Sequence, residues 1–453
     1  MESGLKKKYG LFTAISMVVG IVIGSGVFFK AEKILAETNG NLIAGIYSWI
    51  IGGLIMTSCA YVFGVMASKY EKINGIVDYA EATLGKKYGY FFGWFMATIY
   101  YPTLTSVLAW VSARYFAVLA GWDITGGECM TIAALFLIVS YAVNTIAPKI
   151  AGYFQITTTI IKLIPLIFIV IFGIISGAVS GTMSANFQYA SSAPFSSTSL
   201  FSGVVAAAFA YDGWIIATCI NSELKDAKRT LPLALIFGSL FVMATYVLYY
   251  VGISSSLTTE EIMTAKEGSA ILAFTKIFGN SGGRIILTFI TISCLGTLNG
   301  LMLGCVRGFY SIAARKEGPK HEMLRSVDEM TQMPQNSGIM GLLMCMLWLT
   351  FFYGANLSTG WFAPFNFDSS ELPIVTIYAM YIPILIAFMV KEKEFGIFKR
   401  FIMPTVAILA SIFMVVASIY AHKLSVVYYL IVYAVIMALG VFLEYKNKSS
   451  KQE

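Results

Sequence analysis

The stretch Gly20-Ile21-Val22-Ile23-Gly24-Ser25-Gly26-Val27-Phe28 has a counterpart half a chain later in Ala206-Ala207-Ala208-Phe209-Ala210-Tyr211-Asp212-Gly213-Trp214. Both lie inside apolar segments long enough to be helices. Glycine costs a helix about 1 kcal/mol relative to alanine, so the Gly24-Ser25-Gly26 triplet favours local unwinding. An unwound turn exposes backbone N–H and C=O groups, and apolar surroundings penalise each by several kcal/mol unless a polar partner meets it. Free N–H groups around Ser25, Gly26 and Val27 suit a carboxylate. Free carbonyls at Val22, Phe209 and Ala210 suit an ammonium. A single ligand carrying both groups is an α-amino acid. The competing reading is helix packing, because Gly20-xxx-Gly24 is also a small-xxx-small contact motif, and Gly89-xxx-Gly93 and Gly300-xxx-Gly304 repeat it. The match with Asp212-Gly213 tips the balance towards a site.

The composition states what surrounds these breaks. Of 453 residues, 58% are AVILMFWYC and 12% are Asp, Glu, Lys or Arg, whereas soluble domains carry about 25% charged residues. A bilayer-spanning helix needs about 20 apolar residues, so twelve would occupy roughly half the chain. Little remains for a soluble domain, which excludes a cytoplasmic enzyme, a nucleic-acid binder and a disordered protein. Six cysteines without a CxxC pair, together with only two histidines, suggest neither a disulfide framework nor a metal site. No cofactor is expected.

Hydropathy places spans near residues 11–37, 41–66, 89–113, 130–147, 152–175, 200–221, 231–253, 283–312, 338–354, 372–390, 401–421 and 425–444. Residues 269–280 read as a short helix outside the bilayer. Lys6, Lys7 and Lys8 before the first span resemble the front of a signal peptide, but no cleavage pattern follows. The N-terminus, the 67–88, 148–151, 222–230, 313–337 and 391–400 connections and the C-terminal tail hold 22 lysines and arginines against 6 in the alternate set. Positive charge marks the cytoplasmic side, so both termini are expected there. The net charge of +7 is a topology signal. The 176–199 connection, with no lysine or arginine, reads as an extracellular loop.

Five spans before that loop and a matching interruption after it indicate repeats of opposite topology. The expected architecture is an all-α membrane protein of twelve transmembrane helices in a five-plus-five inverted repeat, with helices one and six discontinuous. The first repeat covers 1–175, the second 200–390, and residues 391–453 hold the last two spans and a tail.

Further residues resemble a known family. Gly10-Leu11-Phe12 through Gly24-Ser25-Gly26-Val27-Phe28 is similar to the first helix of the amino acid–polyamine–organocation superfamily, and Phe209-Ala210-Tyr211-Asp212-Gly213-Trp214 resembles the sixth helix of its L-type amino acid transporter branch. Glu223-Leu224-Lys225-Asp226-Ala227-Lys228-Arg229-Thr230-Leu231-Pro232 resembles that branch's Glu-x-x-Asn-Pro-x-Arg-x-Leu-Pro run, and Arg307-Gly308-Phe309-Tyr310-Ser311 fits the end of its eighth helix. The likeness is nearest to bacterial serine/threonine and alanine–serine–cysteine exchangers. It implies a LeuT-like fold in the cell membrane, carboxylate binding by the Ser25–Gly26–Val27 backbone and a gate formed by Phe209. Asp-Ala at Asp226-Ala227 departs from Asn-Pro. Asp212 stands where glycine is common, which puts a neutral pocket in doubt.

Lys162 lies mid-segment in the fifth span, where a lysine costs roughly 2.5–3.5 kcal/mol and is usually functional. By the resemblance its ammonium stands where related sodium-coupled carriers hold a sodium ion. It is expected to meet carbonyls near Met17–Gly20 and a hydroxyl of the eighth span, Ser293 first and Thr297 second. A permanently charged lysine makes transport sodium-independent; one that sheds its proton opens proton coupling. Asp212 could hold the ligand ammonium or bond freed backbone N–H groups. Among Tyr246, Tyr249 and Tyr250, Tyr246 is the choice to bond the unwound region. Arg114 and Arg307, near helix ends, read as anchors.

No GxxxxGK[ST] loop powers transport by nucleotide hydrolysis. No HExxH suggests an intramembrane enzyme, and broken helices in matching positions favour alternating access over a channel. The expected function is sodium-independent exchange of small neutral L-amino acids such as alanine, serine or cysteine. The alternatives are proton-coupled symport and a cationic amino acid or polyamine carrier. Human relatives pair with a heavy chain through an extracellular cysteine between spans three and four. Cys129 is placed inside span four instead, so no such subunit is expected.

Overall fold

Apolar runs of this length have few ways to satisfy their own backbone except as helices, and a computed structural model gives their arrangement. It describes residues 7, 9–24, 26–70, 74–124, 126–192, 196–265, 268–358 and 360–449. Helices α1 (Leu11–Val22) and α2 (Gly26–Glu37) form the first broken helix. Next come α3 (Leu42–Lys69), α4 (Gly75–Leu84), α5 (Lys86–Ala120), α6 (Gly127–Ile146), α7 (Pro148–Ser180) and α8 (Thr182–Ser192). The second broken helix is α9 (Ser197–Ala210) followed by a 3₁₀ helix at Trp214–Glu223. The remaining elements are α10 (Ala227–Ser256), α11 (Thr259–Ala265), α12 (Ser269–Ala313), α13 (His321–Leu324), α14 (Gln335–Leu357), α15 (Leu372–Lys391), α16 (Phe398–Tyr420) and α17 (Leu424–Asn447). Ten of the described helices, α3, α5, α6, α7, α10, α12, α14, α15, α16 and α17, are long and apolar enough to cross a membrane.

Local chemistry accounts for several details. Asn41 caps α3 by accepting from the Ala44 N–H at 3.0 Å. In α5 a π-type turn at Met96–Tyr100 precedes Pro102, a deviation often found at functional sites. Proline supplies no N–H to the carbonyl four residues back, and the Trp348 indole N–H fills that gap, donating to the Thr98 carbonyl at 2.8 Å.

One expectation is corrected. Residues 182–192, within the stretch read as a loop, are helical because Asn186 is buried and donates to the Ser254 and Leu257 carbonyls at 2.7 and 2.8 Å. It thereby serves acceptors at the end of α10 that have no helical donor. The short helix expected at 269–280 is present: Ser269–Ala313 consists of two helices that meet at a kink at Gly279, whose φ of +74° and ψ of −174° are non-helical, so a short first helix precedes the eighth span.

The two broken helices sit together at the centre. α1 lies against α7, α10, α12 and the 3₁₀ helix, while α9 packs on α2 and α3. At one end of the bundle Tyr9 pairs in parallel with the second broken helix. Its N–H donates to the Glu223 carbonyl at 3.0 Å, and its carbonyl accepts from the Lys225 N–H at 2.8 Å.

Candidate functional site

α1 stops at Val22, and its last carbonyls lose their helical donors. Lys162 from α7 supplies new ones. Its ammonium, fully buried, donates to Gly20 O at 2.7 Å, Ile23 O at 2.6 Å and Thr297 Oγ1 at 3.2 Å. Three donors meet three acceptors. The hydroxyl partner is therefore Thr297, and Ser293, ranked first from sequence, instead donates to Gly24 O at 3.2 Å. The carbonyls used are Gly20 and Ile23, on the freed turn, with the Met17 carbonyl uninvolved in that set.

Tyr246 of α10 joins the two breaks. Its hydroxyl lies 2.8 Å from Val22 O and 3.2 Å from Ala210 O, sharing one proton between them. This corrects the expectation that both carbonyls are free, since Val22 O also accepts from the Gly24 N–H at 2.9 Å. Tyr211 and Trp49 brace the tyrosine, with Tyr246 ring centroids 4.9 Å from Tyr211 and 5.2 Å from Trp49. The Tyr211 hydroxyl in turn donates to the Trp49 carbonyl at 2.9 Å.

The glycines divide by role. A Cβ at Gly20 would stand 2.2 Å from Thr159 Oγ1 and 2.6 Å from Gln155 Nε2, so Gly20 is a packing glycine. Gly24 is tight against Thr297 at 3.2 Å. At Gly26 a Cβ would meet only Ala210, at 3.6 Å, and this residue lines a cavity. Gly213 has φ +97°, and a Cβ there would stand 2.9 Å from Ile21, which ties the second break to the first.

That cavity, about 200 Å³, opens between the breaks. Val22, Gly24, Gly26, Ala210 and Asp212 line it, with Leu104, Val107 and Leu108 of α5 as an apolar wall. Gly26 and Val27 open α2, where the first N–H groups have no helical acceptor; Val27 itself is buried. Asp212 accepts from the Tyr100 hydroxyl at 2.8 Å, and Tyr100 closes the π-type turn of α5. Ser25 lies outside the described residues, as does the Phe209 side chain. Among the described residues no group of three or more His, Cys, Asp or Glu could hold a metal ion.

Lys30, Ser370 and Glu371 form the cavity's outer wall. Glu371 receives Lys30 Nζ at 3.4 Å and pairs with His422 Nε2 at 3.0 Å. Burial raises the Glu371 carboxyl, but the His422 hydrogen bond and the charges of Lys30 and Lys33 prevail and hold it at about 2. The same hydrogen bond raises His422 above the ordinary histidine value. Sequence reasoning missed this cluster, because its members lie 341 and 51 residues apart.

It also misread Arg307. That side chain is 2% exposed and donates through Nε to Glu223 Oε1 at 2.6 Å, so it is a buried ion-pair partner and no surface anchor. The pair fastens α12 to the end of the second broken helix. Arg114 lies over the Trp110 ring at 5.5 Å. All six cysteines, Cys129 included, are buried, and none forms a disulfide among the described residues.

Comparison with known proteins places this arrangement. Residues 9–442 match the family model described as amino acid permease. The serine/threonine exchanger SteT of Bacillus subtilis (strain 168) is 30% identical over 433 residues, covering 94% of each chain. The human b(0,+)-type amino acid transporter 1 is 26% identical over 344 residues, 73% of this chain and 68% of that protein. The human cystine/glutamate transporter is 24% identical over 326 residues, 71% of this chain and 64% of that one. With nearly the whole chain matched and its two helix breaks meeting at a cavity, the protein belongs to the amino acid permease family.

Proposed function

We propose that this permease exchanges small neutral L-amino acids across the cell membrane by alternating access, without sodium. The observation that carries the reading is the Lys162 ammonium bonded to Gly20 O, Ile23 O and Thr297 Oγ1. Lys162 thereby already ties the first broken helix to α12, so no sodium ion is required there. The ligand carboxylate lies at the N–H groups of Ser25, Gly26 and Val27, favoured by the start of α2. Its ammonium faces Asp212 and the carbonyls of the second break, with Phe209 gating. Tyr246 supports the site by holding Val22 and Ala210 together. The wall of Leu104, Val107 and Leu108 suits an uncharged side chain.

The ten long helices and the two broken ones make twelve spans, read as a five-plus-five inverted repeat over 1–175 and 200–390 with residues 391–453 appended. The excess of lysine and arginine puts both termini in the cytoplasm. With Cys129 buried, the chain works without a disulfide-linked heavy chain.

The test is counterflow in proteoliposomes against a panel of amino acids, with sodium replaced by choline and with a pH gradient applied and removed. Equal rates with and without sodium, requiring an exchangeable amino acid inside, are expected. Uptake that depends on sodium would sink the reading. A second reading rests on Asp212, an acid lining the cavity. If Asp212→Asn abolishes lysine counterflow and spares serine, a cationic substrate is favoured.

A further inference from the structure

Away from the substrate cavity, a groove of about 470 Å³ runs between α5, α14 and α17 on the outside of the bundle. Its walls are apolar, with Met344 and Leu347 on α14 facing Ile436, Leu439 and Leu443 on α17 over a floor at Trp94. Leu347 and Leu439 are 62% and 51% exposed, so the groove opens to the surroundings of the bundle. Its extent from Met340 to Phe351 and from Val432 to Leu443 corresponds to about 17 Å of helix at 1.5 Å per residue.

The floor is fixed. Trp94 Nε1 donates to the Ile436 carbonyl at 3.0 Å and the Tyr90 hydroxyl donates to the Gly440 carbonyl at 2.7 Å, holding α17 on α5. At the end where α17 finishes, the Gly318 N–H donates to Glu444 Oε2 at 2.5 Å. This draws the 313–337 connection onto the groove, so Pro319 and Leu324 close that end. Two exposed lysines adjoin the residues that line this end of the groove. Lys320 follows Pro319, and Lys446 lies three residues past Leu443. Neither makes an ion pair among the described residues. An apolar trough as long as several helical turns, ending at a pair of cations, matches one kind of occupant.

We infer that this groove binds one anionic phospholipid, with an acyl chain between α14 and α17 and the phosphate between Lys320 and Lys446. Burial of the chain is favourable at about 25 cal/mol per Å² where it displaces water, but in a bilayer every lipid competes on equal apolar terms. Selection therefore falls to the headgroup, and basic side chains beside a membrane surface contribute roughly 1 kcal/mol each towards anionic lipid. The inference is independent of which amino acid the central cavity takes.

The test is native mass spectrometry of the purified full chain exchanged into phosphatidylglycerol or phosphatidylcholine with identical acyl chains. One phosphatidylglycerol per chain should be retained at energies that strip phosphatidylcholine, with about a tenfold preference. Lys320→Glu combined with Lys446→Glu should bring the ratio to about one, while the paired arginine variants keep it. Leu439→Trp, which fills the trough, should lower retention of both lipids. Equal retention of both lipids by the unaltered chain, or an unchanged preference in the glutamate pair, overturns the proposal. So does efficient dimer cross-linking through Val435→Cys accompanied by loss of lipid, because a second copy then covers this face. Each variant is also assayed for counterflow in phosphatidylcholine vesicles, which shows that it is folded.

Discussion

Lys162 Nζ lies 2.6 Å from the carbonyl oxygen of Ile23, one residue beyond the end of α1. A lysine on a neighbouring helix thus completes a turn that the first helix leaves unfinished. Replacing it by methionine keeps the apolar length and leaves Gly20 O and Ile23 O to share the single Thr297 hydroxyl, 3.0 and 3.3 Å away; a buried carbonyl left without its donor costs about 1–3 kcal/mol. Transport should fall by more than tenfold and the melting temperature should drop. Counterflow by Lys162→Met at the unaltered rate would remove the lysine from the mechanism.

Tyr246 contributes through its hydroxyl, which bridges Val22 O and Ala210 O. Tyr246→Phe retains the ring contacts with Trp49 and Tyr211 and deletes only that bridge. We expect about a tenfold loss of counterflow, with the chain still eluting as a folded monodisperse species on size exclusion. The comparison that decides is with Tyr249→Phe, expected to act more weakly because no break carbonyl accepts from Tyr249 among the hydrogen bonds of the described residues.

The glycines should separate by geometry. Gly213→Ala forces a left-handed backbone at φ +97° and pushes a Cβ to 2.9 Å from Ile21; strain of this kind costs of order 1–3 kcal/mol, so yield and thermal stability should both decline. Gly26→Ala meets ordinary contact distances at Ala210, 3.6 Å, and should fold normally. Gly26→Val intrudes on the cavity and should abolish transport without a comparable loss of stability. Full activity in Gly26→Val would overturn the placement of the ligand carboxylate.

Arg307 and Glu223 are 2% and 0% exposed at the side chain. Removing one member of a buried pair leaves an uncompensated charge, a loss of about 3–5 kcal/mol, whereas replacing both with apolar residues of similar size is often neutral. Thermal unfolding should therefore rank Arg307→Met and Glu223→Leu singly well below the double variant. A double variant as unstable as the sum of the singles would contradict the pairing.

His422 and Glu371 predict a pH dependence with a definite sign. Because the Glu371 hydrogen bond raises His422, the folded protein holds that proton more tightly than the unfolded chain. The stabilisation is complete below the ordinary histidine value near ~6.5 and fades as pH rises through the raised one. Glu371, held at about 2, contributes above the ordinary carboxylate range and loses its share as pH falls towards that value. The stability gap between the unaltered protein and His422→Gln should be roughly 1 kcal/mol at pH 6 and shrink by pH 9. A gap constant across that range would exclude the imidazolium–carboxylate pair.

Much of the architecture was legible in the sequence because a membrane protein's helices follow from local hydropathy, and each helix satisfies its own backbone without outside help. The interruptions at Gly24 and Asp212-Gly213 were legible for the same reason, as local departures from helix-forming sequence. So was the anomaly of Lys162, since a lysine within an apolar segment violates a local rule. What the sequence could not supply was partnership. Thr297 in place of Ser293, Tyr246 closing Val22 and Ala210, Arg307 buried on Glu223, and Lys30 with His422 on Glu371 all join residues from distant parts of the chain. Residues 182–192 read as loop by their polarity and are helical because Asn186 serves the end of α10. The chain by itself determined which segments are helices and where two of them break. Only the tertiary structure decided what meets the freed backbone groups, because a hydrogen bond depends on a few tenths of an ångström between elements whose separation along the chain carries no such information.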